Sequence, residues 1–120
     1  MKPELQNRLV KFSVKIIWIA KYLTRCFAMQ HLYSQLVRSA TSAALNYGEA
    51  QTAESRKDFI HKLGIVLKEL KETEVNLQII FEAKLCKSDE PVSDVLKECR
   101  ELIAIFTATR KTAKENGNKL

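Results

Sequence analysis

The sequence predicts an all-α fold, an antiparallel up-down-up-down four-helix bundle. Three glycines and two prolines in 120 residues are too few for the many tight turns of a β-sandwich or barrel. Apolar residues also recur at steps of three and four along four stretches, which short polar segments separate. Residues 1–120 are therefore interpreted as one domain, with helices at about 4–26, 30–53, 56–86 and 91–114.

The first helix is predicted from an apolar stripe that begins just after Pro3, because a proline suits the first turn of a helix. The spacing alternates between four and three residues and so lines one helical face. The stripe consists of Leu5, Leu9, Phe12, Ile16, Ile19 and Leu23.

A second apolar face lies on the same helix, away from the first stripe by the rotation of 100° per residue. A helix that is apolar on two faces has to bury the second face as well. Either the bundle wraps further around this helix or a second copy of the chain covers it, and we prefer homo-oligomerisation because tryptophan is a frequent interface anchor. The candidate interface residues are Val10, Val14, Ile17 and Trp18.

The other three helices follow from their own stripes and caps. In the second helix the small residues from Ser39 to Ala44 favour close approach of a neighbour. Ser55 is a good N-cap for the third helix, with Asp58 three residues later. Pro91 is predicted to lie near the first position of the fourth helix.

Positive charge is concentrated in the first part of the chain, where residues 1–50 hold seven Lys or Arg and two Glu. The net charge of +6 suits either a solubilising surface or contact with a polyanion such as RNA. On charge alone the solubilising surface is the simpler interpretation. The candidate phosphate contacts are Arg8, Lys11 and Lys15 on one flank of the first helix and Lys21 and Arg25 on another.

No motif indicates catalysis, a cofactor or a metal. The three cysteines are widely spaced and form no CxxC or Cys/His cluster, and the start of the chain has no signal-peptide pattern, so we expect a cytoplasmic setting. Glu74 lies close to the inward stripe of the third helix, and a buried carboxylate needs partners. We interpret Arg38, Asn46, Glu49 and Glu74 as a structural polar network that fixes helix register, in preference to a catalytic acid or base.

The middle of the chain carries a more specific pattern: Arg38-Ser39-Ala40, then Asn46 with Glu49, then Lys57 two residues before Phe59, and Glu74 later in the third helix. This pattern resembles the four-helix-bundle family of 23S rRNA intervening-sequence proteins. It is also similar to the accessory protein of diversity-generating retroelements, a basic pentameric bundle that associates with reverse transcriptase and nucleic acid.

The resemblance implies a ring of identical chains, commonly a homopentamer, and it matches Arg38, Asn46, Glu49 and Glu74 to the polar positions of the family. The expected function is that of a non-catalytic oligomeric bundle that binds RNA or a ribonucleoprotein partner through a basic face. The alternative is a protein–protein scaffolding module with no role at nucleic acid.

Overall fold

The computed structural model describes residues 3–118, and these residues form four α-helices. Helix α1 spans Pro3–Trp18, α2 spans Phe27–Gln51, α3 spans Arg56–Glu82 and α4 spans Asp89–Asn118. The predicted all-α four-helix bundle is therefore confirmed as the fold class. Residues 1–2 and 119–120, which the predicted single domain includes, lie outside the described residues.

Contacts between neighbouring helices run in opposite directions along the chain. Gln6 on α1 donates to the carbonyl oxygen of Ala44 on α2, whereas the Tyr33 hydroxyl donates to the carbonyl oxygen of Ile17. Likewise, the Cys99 thiol on α4 donates to the carbonyl oxygen of Leu70 on α3, whereas Arg110 further along α4 donates to that of Ile60. The result is an elongated bundle of about 52 × 22 × 19 Å, and none of the helices in residues 3–118 has the length and apolarity needed to cross a bilayer.

Helix α1 ends eight residues earlier than the sequence predicts. A short 3-10 helix, Ile19–Tyr22, follows it, and Leu23 then takes an extended conformation. Ile19 and Leu23 are nevertheless buried, as their place on the stripe requires. Helix α2 starts at Phe27 instead of about residue 30, and the Cys26 sulfur accepts a hydrogen bond from the backbone N–H of Met29 at its N-terminus.

The ends of α3 and α4 also differ from the expected bounds. Ser55 caps α3 as predicted, since its hydroxyl accepts from the Asp58 backbone N–H at 3.1 Å. At the other end α3 stops at Glu82, and Lys84 adopts a positive φ of 55°. Helix α4 begins two residues before Pro91, which leaves the proline in the first turn, where its missing N–H costs nothing.

One apolar core runs the length of the bundle. Its largest fully buried side chains include Phe12 of α1 and Phe106 of α4, and the Tyr47 ring meets Phe106 edge to face at 5.0 Å between centroids. Of the small residues predicted to admit a neighbouring helix, Ser39, Ala40 and Ala43 are fully buried, and Thr41, Ser42 and Ala44 are half-buried. The core therefore contains few polar side chains, and the candidate functional residues lie on the surface of the bundle.

Candidate functional site

The exposed side of α1 carries the apolar candidate set and three of the five basic candidates, Arg8, Lys11 and Lys15. Val10 and Ile17 are close to half exposed and Trp18 is 66% exposed, whereas Val14 is half-buried. The hydrogen bond from Tyr33 to the Ile17 carbonyl shows that the flank with Val10 and Ile17 adjoins α2. On α1 the apolar set and these three basic residues therefore occupy adjacent flanks, since the basic flank adjoins α4.

Arg8 forms ion pairs with two glutamates of α4. Its Nε and Nη2 atoms donate to the two carboxylate oxygens of Glu98 on α4, both at 2.7 Å, and Nη2 lies 3.4 Å from Glu101. The hydrogen bonds to Glu98 raise the pKa of Arg8 above its ordinary value. The positive charge of Arg8, predicted to contact a phosphate, is thus largely neutralised by the carboxylates of Glu98 and Glu101.

The other four predicted cations remain on the surface. Lys11 and Lys15 are exposed on α1, Lys21 is exposed in the 3-10 helix, and Arg25 is exposed in the connection to α2. Within residues 3–118 none of these four forms an ion pair, whereas Arg38, Lys62 and Arg100 elsewhere do. Because α1 ends at Trp18, Lys21 and Arg25 lie at one end of the bundle and not along a helical flank.

The four residues predicted as one polar network fall into separate groups. Asn46 donates to the carbonyl oxygen of Ser42 within α2. Glu49 accepts from Lys62 at 2.7 Å and Glu74 accepts from Arg100 at 3.0 Å, both at the surface. Arg38 joins neither pair, so the structure does not bring the four side chains together.

Arg38 instead binds two carboxylates of α3 that the sequence analysis missed. Its Nη1 atom donates to Glu69 at 2.9 Å and its Nη2 atom donates to Glu72. Glu69 is buried, with 5% of its surface exposed, whereas Glu74, which the sequence placed close to the interior, is half-buried. Burial opposes the ionisation of Glu69, but hydrogen bonds from Ser42 and Arg38 outweigh burial and hold its pKa below the usual 4.5.

A buried hydroxyl pair completes this contact between α2 and α3. The Ser39 and Thr73 hydroxyl oxygens lie 2.7 Å apart, and Thr73 also donates to the backbone carbonyl of Glu69. Thr73 stands three residues after Leu70 and four before Leu77, so it continues the inward stripe. That spacing was the signal in the sequence that a polar residue faces the interior at 73, with Glu69 one turn before it.

No arrangement in the described chain indicates catalysis at a metal. Residues 3–118 hold no group of three or more His, Cys, Asp or Glu placed to bind an ion. Cys99 is fully buried, which raises its thiol pKa to about 12 and leaves it a neutral core residue. An open cleft of about 830 Å³ lies where α1 begins, and its walls are mostly apolar, including Leu5 and Phe59.

Comparisons with known proteins identify relatives by sequence and by fold. The sequence model of a family described as 23S rRNA-intervening sequence protein matches residues 2–108. A crystal structure of a protein of unknown function from the S23 ribosomal protein family of Bacteroides thetaiotaomicron is 28% identical to this chain. It superimposes with a TM-score of 0.77 over 89% of this chain and 98% of its own length. Curated proteins provide no match.

Proposed function

Because the chain belongs to the family of 23S rRNA-intervening sequence proteins, we propose that it is a non-catalytic, homo-oligomeric bundle that binds RNA or a ribonucleoprotein partner in the cytoplasm. The basic surface for this role consists of Lys11, Lys15, Lys21 and Arg25. Arg8, which the sequence analysis grouped with them, contributes little, since Glu98 and Glu101 hold its guanidinium.

The observation that carries the RNA proposal is that these four cations are exposed and that none of them makes an ion pair in the described chain. An unpaired lysine or arginine can neutralise an RNA phosphate, which releases a cation that was condensed on the RNA. Such contacts are insensitive to sequence, which suits a surface that lacks a helix-turn-helix or RNA-recognition signature.

The oligomer proposal is supported by the apolar flank of α1. Val10, Ile17 and Trp18 expose between 46% and 66% of their surface, and Val14 lies between them on the helix. Apolar residues that share one flank form a patch that a second copy would remove from water. The family resemblance implies a ring of five copies, and we propose that this flank forms its contact between neighbours.

Fluorescence anisotropy with a labelled structured RNA tests the RNA proposal. We expect binding at low salt that weakens steeply as salt rises, because phosphate contacts dominate. Replacing Lys11, Lys15, Lys21 and Arg25 with Gln should abolish most of the binding. The control replaces four exposed lysines elsewhere with Gln, namely Lys57, Lys71, Lys111 and Lys114. Equal losses in the two variants would contradict the assignment of this surface.

A protein scaffold with no role at nucleic acid is the second candidate. The exposed apolar side chains favour it, because α3 also carries Val75 and Ile79 on its surface, 54% and 45% exposed. These two residues line a groove with Arg38, Lys68 and Lys71 between α2 and α3. A stable assembly in light scattering, together with no affinity for structured RNA at low salt, would establish this candidate instead.

A further inference from the structure

Two connecting segments lie side by side at one end of the bundle, and together we call them the loop end: residues 19–27 and 83–88. The backbone N–H of Thr24 donates to the carbonyl oxygen of Leu85 at 3.0 Å, and the N–H of Lys87 donates to that of Tyr22 at 2.7 Å. Leu23 and Cys86 form an antiparallel bridge between them. These main-chain bonds fix the two segments against each other, so residues distant in sequence lie together at this end of the bundle.

The loop end collects cations from both segments. Lys21 and Arg25 come from the first segment and Lys84 and Lys87 from the second, all four exposed and none in an ion pair within residues 3–118. The carboxylates at the same end are those of Glu82, Asp89 and Glu90, also exposed. Glu82 accepts a hydrogen bond from Gln78, and Asp89 and Glu90 lie in the first turn of α4, where acids favour the helix dipole.

Lys84 has a strained backbone conformation. Its φ of 55° is in the left-handed region, where a side chain crowds the backbone and glycine is the usual residue. Its N–H donates to the carbonyl oxygen of Phe81, and the N–H of Leu85 donates to that of Ile80, which closes the end of α3. The lysine at this position places a cation at the loop end that a glycine would not supply.

Aromatic rings are interleaved with these cations. Phe27, the first residue of α2, is 87% exposed, and Tyr22 is 37% exposed. The Lys21 ammonium lies 5.2 Å from the centre of the Tyr22 ring. Beside them a groove of about 290 Å³ is lined by Leu23, Arg25 and Tyr33, among others. A ring this exposed offers a face on which a flat partner can stack.

Building on the RNA binding proposed for this chain, we propose that the loop end is a site for unpaired RNA nucleotides. The phosphates contact Lys21, Arg25, Lys84 and Lys87, and the bases stack on Phe27 and Tyr22. Stacking on aromatic rings beside cations is how proteins bind single strands without reading sequence, because every base offers a flat face and every nucleotide a charge. In a duplex the bases already stack on one another, so only its phosphates are available to this surface.

The test compares two labelled RNAs by fluorescence anisotropy in about 50 mM salt: an unstructured strand of about 12 nucleotides and a duplex of about 12 base pairs. The informative variant is Phe27→Ala, since an 87% exposed side chain contributes little to folding. The matched control is Leu45→Ala, which removes another exposed apolar side chain, 68% exposed, from the same helix. A Phe27→Trp variant keeps a ring at the position.

We expect Phe27→Ala to weaken binding of the single strand about 10-fold, with Tyr22→Ala weakening it in the same direction. Binding of the duplex should change less than about 2-fold, because its bases are not available for stacking. Phe27→Trp should restore the affinity for the single strand, and Leu45→Ala should leave both RNAs unaffected.

Four results would overturn the inference. Equal effects of Phe27→Ala and Leu45→Ala, or binding of the duplex at least as tight as that of the single strand, would reject the stacking site alone and leave the proposed RNA binding in place. A fall in oligomer mass on Phe27→Ala would make the loop end a protein interface. Failure of the unsubstituted protein to bind either RNA would reject the proposed function and this site together.

Discussion

Arg38 on α2 and Glu69 on α3 connect the surface of the bundle with its interior. Arg38 Nη1 donates to Glu69 Oε2 at 2.9 Å, and the Arg38 side chain is 56% exposed, whereas that of Glu69 is 7% exposed. The partly exposed guanidinium therefore contacts a carboxylate that is almost completely shielded from solvent. Removing the guanidinium would leave a buried negative charge with only hydroxyl partners, which is costly.

Substituting Arg38→Met should lower the free energy of unfolding by about 2 kcal/mol, because a hydrogen-bonded charge loses its partner while the aliphatic stem is kept. Urea denaturation at pH 7 measures the change. The matched control is Arg100→Met, which breaks the more exposed pair with Glu74 and should cost less than about 1 kcal/mol. Equal losses in the two variants would show that Glu69 does not depend on Arg38.

The pH dependence of stability provides a second test of the same contact. The pKa of Glu69 is lower in the folded protein than its ordinary value of 4.5, so the unfolded chain takes up the proton first as the pH falls. The stability that Glu69 contributes is therefore fully present above about pH 4.5 and is lost below it, as the pH falls through the folded pKa.

Glu69→Gln should remove this contribution, so the urea midpoint of the variant should fall less between pH 6 and about pH 3 than that of the unsubstituted protein. Glu54→Gln, at an exposed position, serves as control and should keep the original pH profile. A Glu69→Gln profile parallel to the original would contradict the assignment of the acid-sensitive group.

The fold was predictable because periodicity reports burial directly. Ile19 and Leu23 are 4% and 5% exposed, as their stripe requires, although the helix that carries the stripe ends at Trp18. The bounds were less predictable, since no glycine or proline marks the change at residue 18 and the 3-10 helix keeps the same residues facing inward. Cys26 as an N-cap is also a weak signal in sequence, because serine, threonine, aspartate and asparagine are the usual caps.

The candidate sites were less predictable than the fold, because ion pairs join residues far apart in sequence. Arg8 and Glu98 are ninety residues apart, and nothing local indicates their contact. Glu74 stands out in the sequence because it lies between Leu70 and Leu77, whereas only the place of Thr73 in the same stripe indicates Glu69, one turn before it. Lys84 and Lys87 join Lys21 and Arg25 only through the backbone bonds between residues 22–24 and 85–87.

Arg8 and Lys15 should differ in their contribution to RNA binding. A lysine that contacts a phosphate of single-stranded RNA contributes about 0.7 to the slope of log affinity against log salt concentration, so Lys15→Gln should lower the slope by about that amount. Arg8→Gln should leave the slope nearly unchanged, because Glu98 already neutralises the guanidinium. Anisotropy titrations over a range of salt concentrations measure both slopes, and a larger effect of Arg8→Gln would contradict the role of Glu98.

Charge placed on the apolar flank of α1 should separate the protomers. In the double variant Ile17→Glu and Trp18→Glu, assembly would bury two unpaired carboxylates, so the mass measured by light scattering should fall to that of one chain of 13.7 kDa. Leu45→Glu changes an equally exposed apolar residue on α2 and should leave the mass unchanged. An oligomer that persists in the double variant would place the contact on another face.

Two glycine substitutions at the loop end should have opposite effects on stability and the same effect on RNA. Lys84→Gly relieves the left-handed backbone conformation, which costs a lysine about 1–2 kcal/mol. Glycine also raises the conformational entropy of the unfolded chain, which offsets part of this gain. The net result should be a stabilisation of about 0.5 kcal/mol in urea denaturation. Lys87 has no positive φ, so Lys87→Gly should only lower the free energy of unfolding, by a similar amount.

Lys84→Gly and Lys87→Gly each remove one exposed cation, so both should weaken binding of single-stranded RNA. A loss of affinity that followed stability instead of charge would show that these lysines act through the fold and not on phosphate.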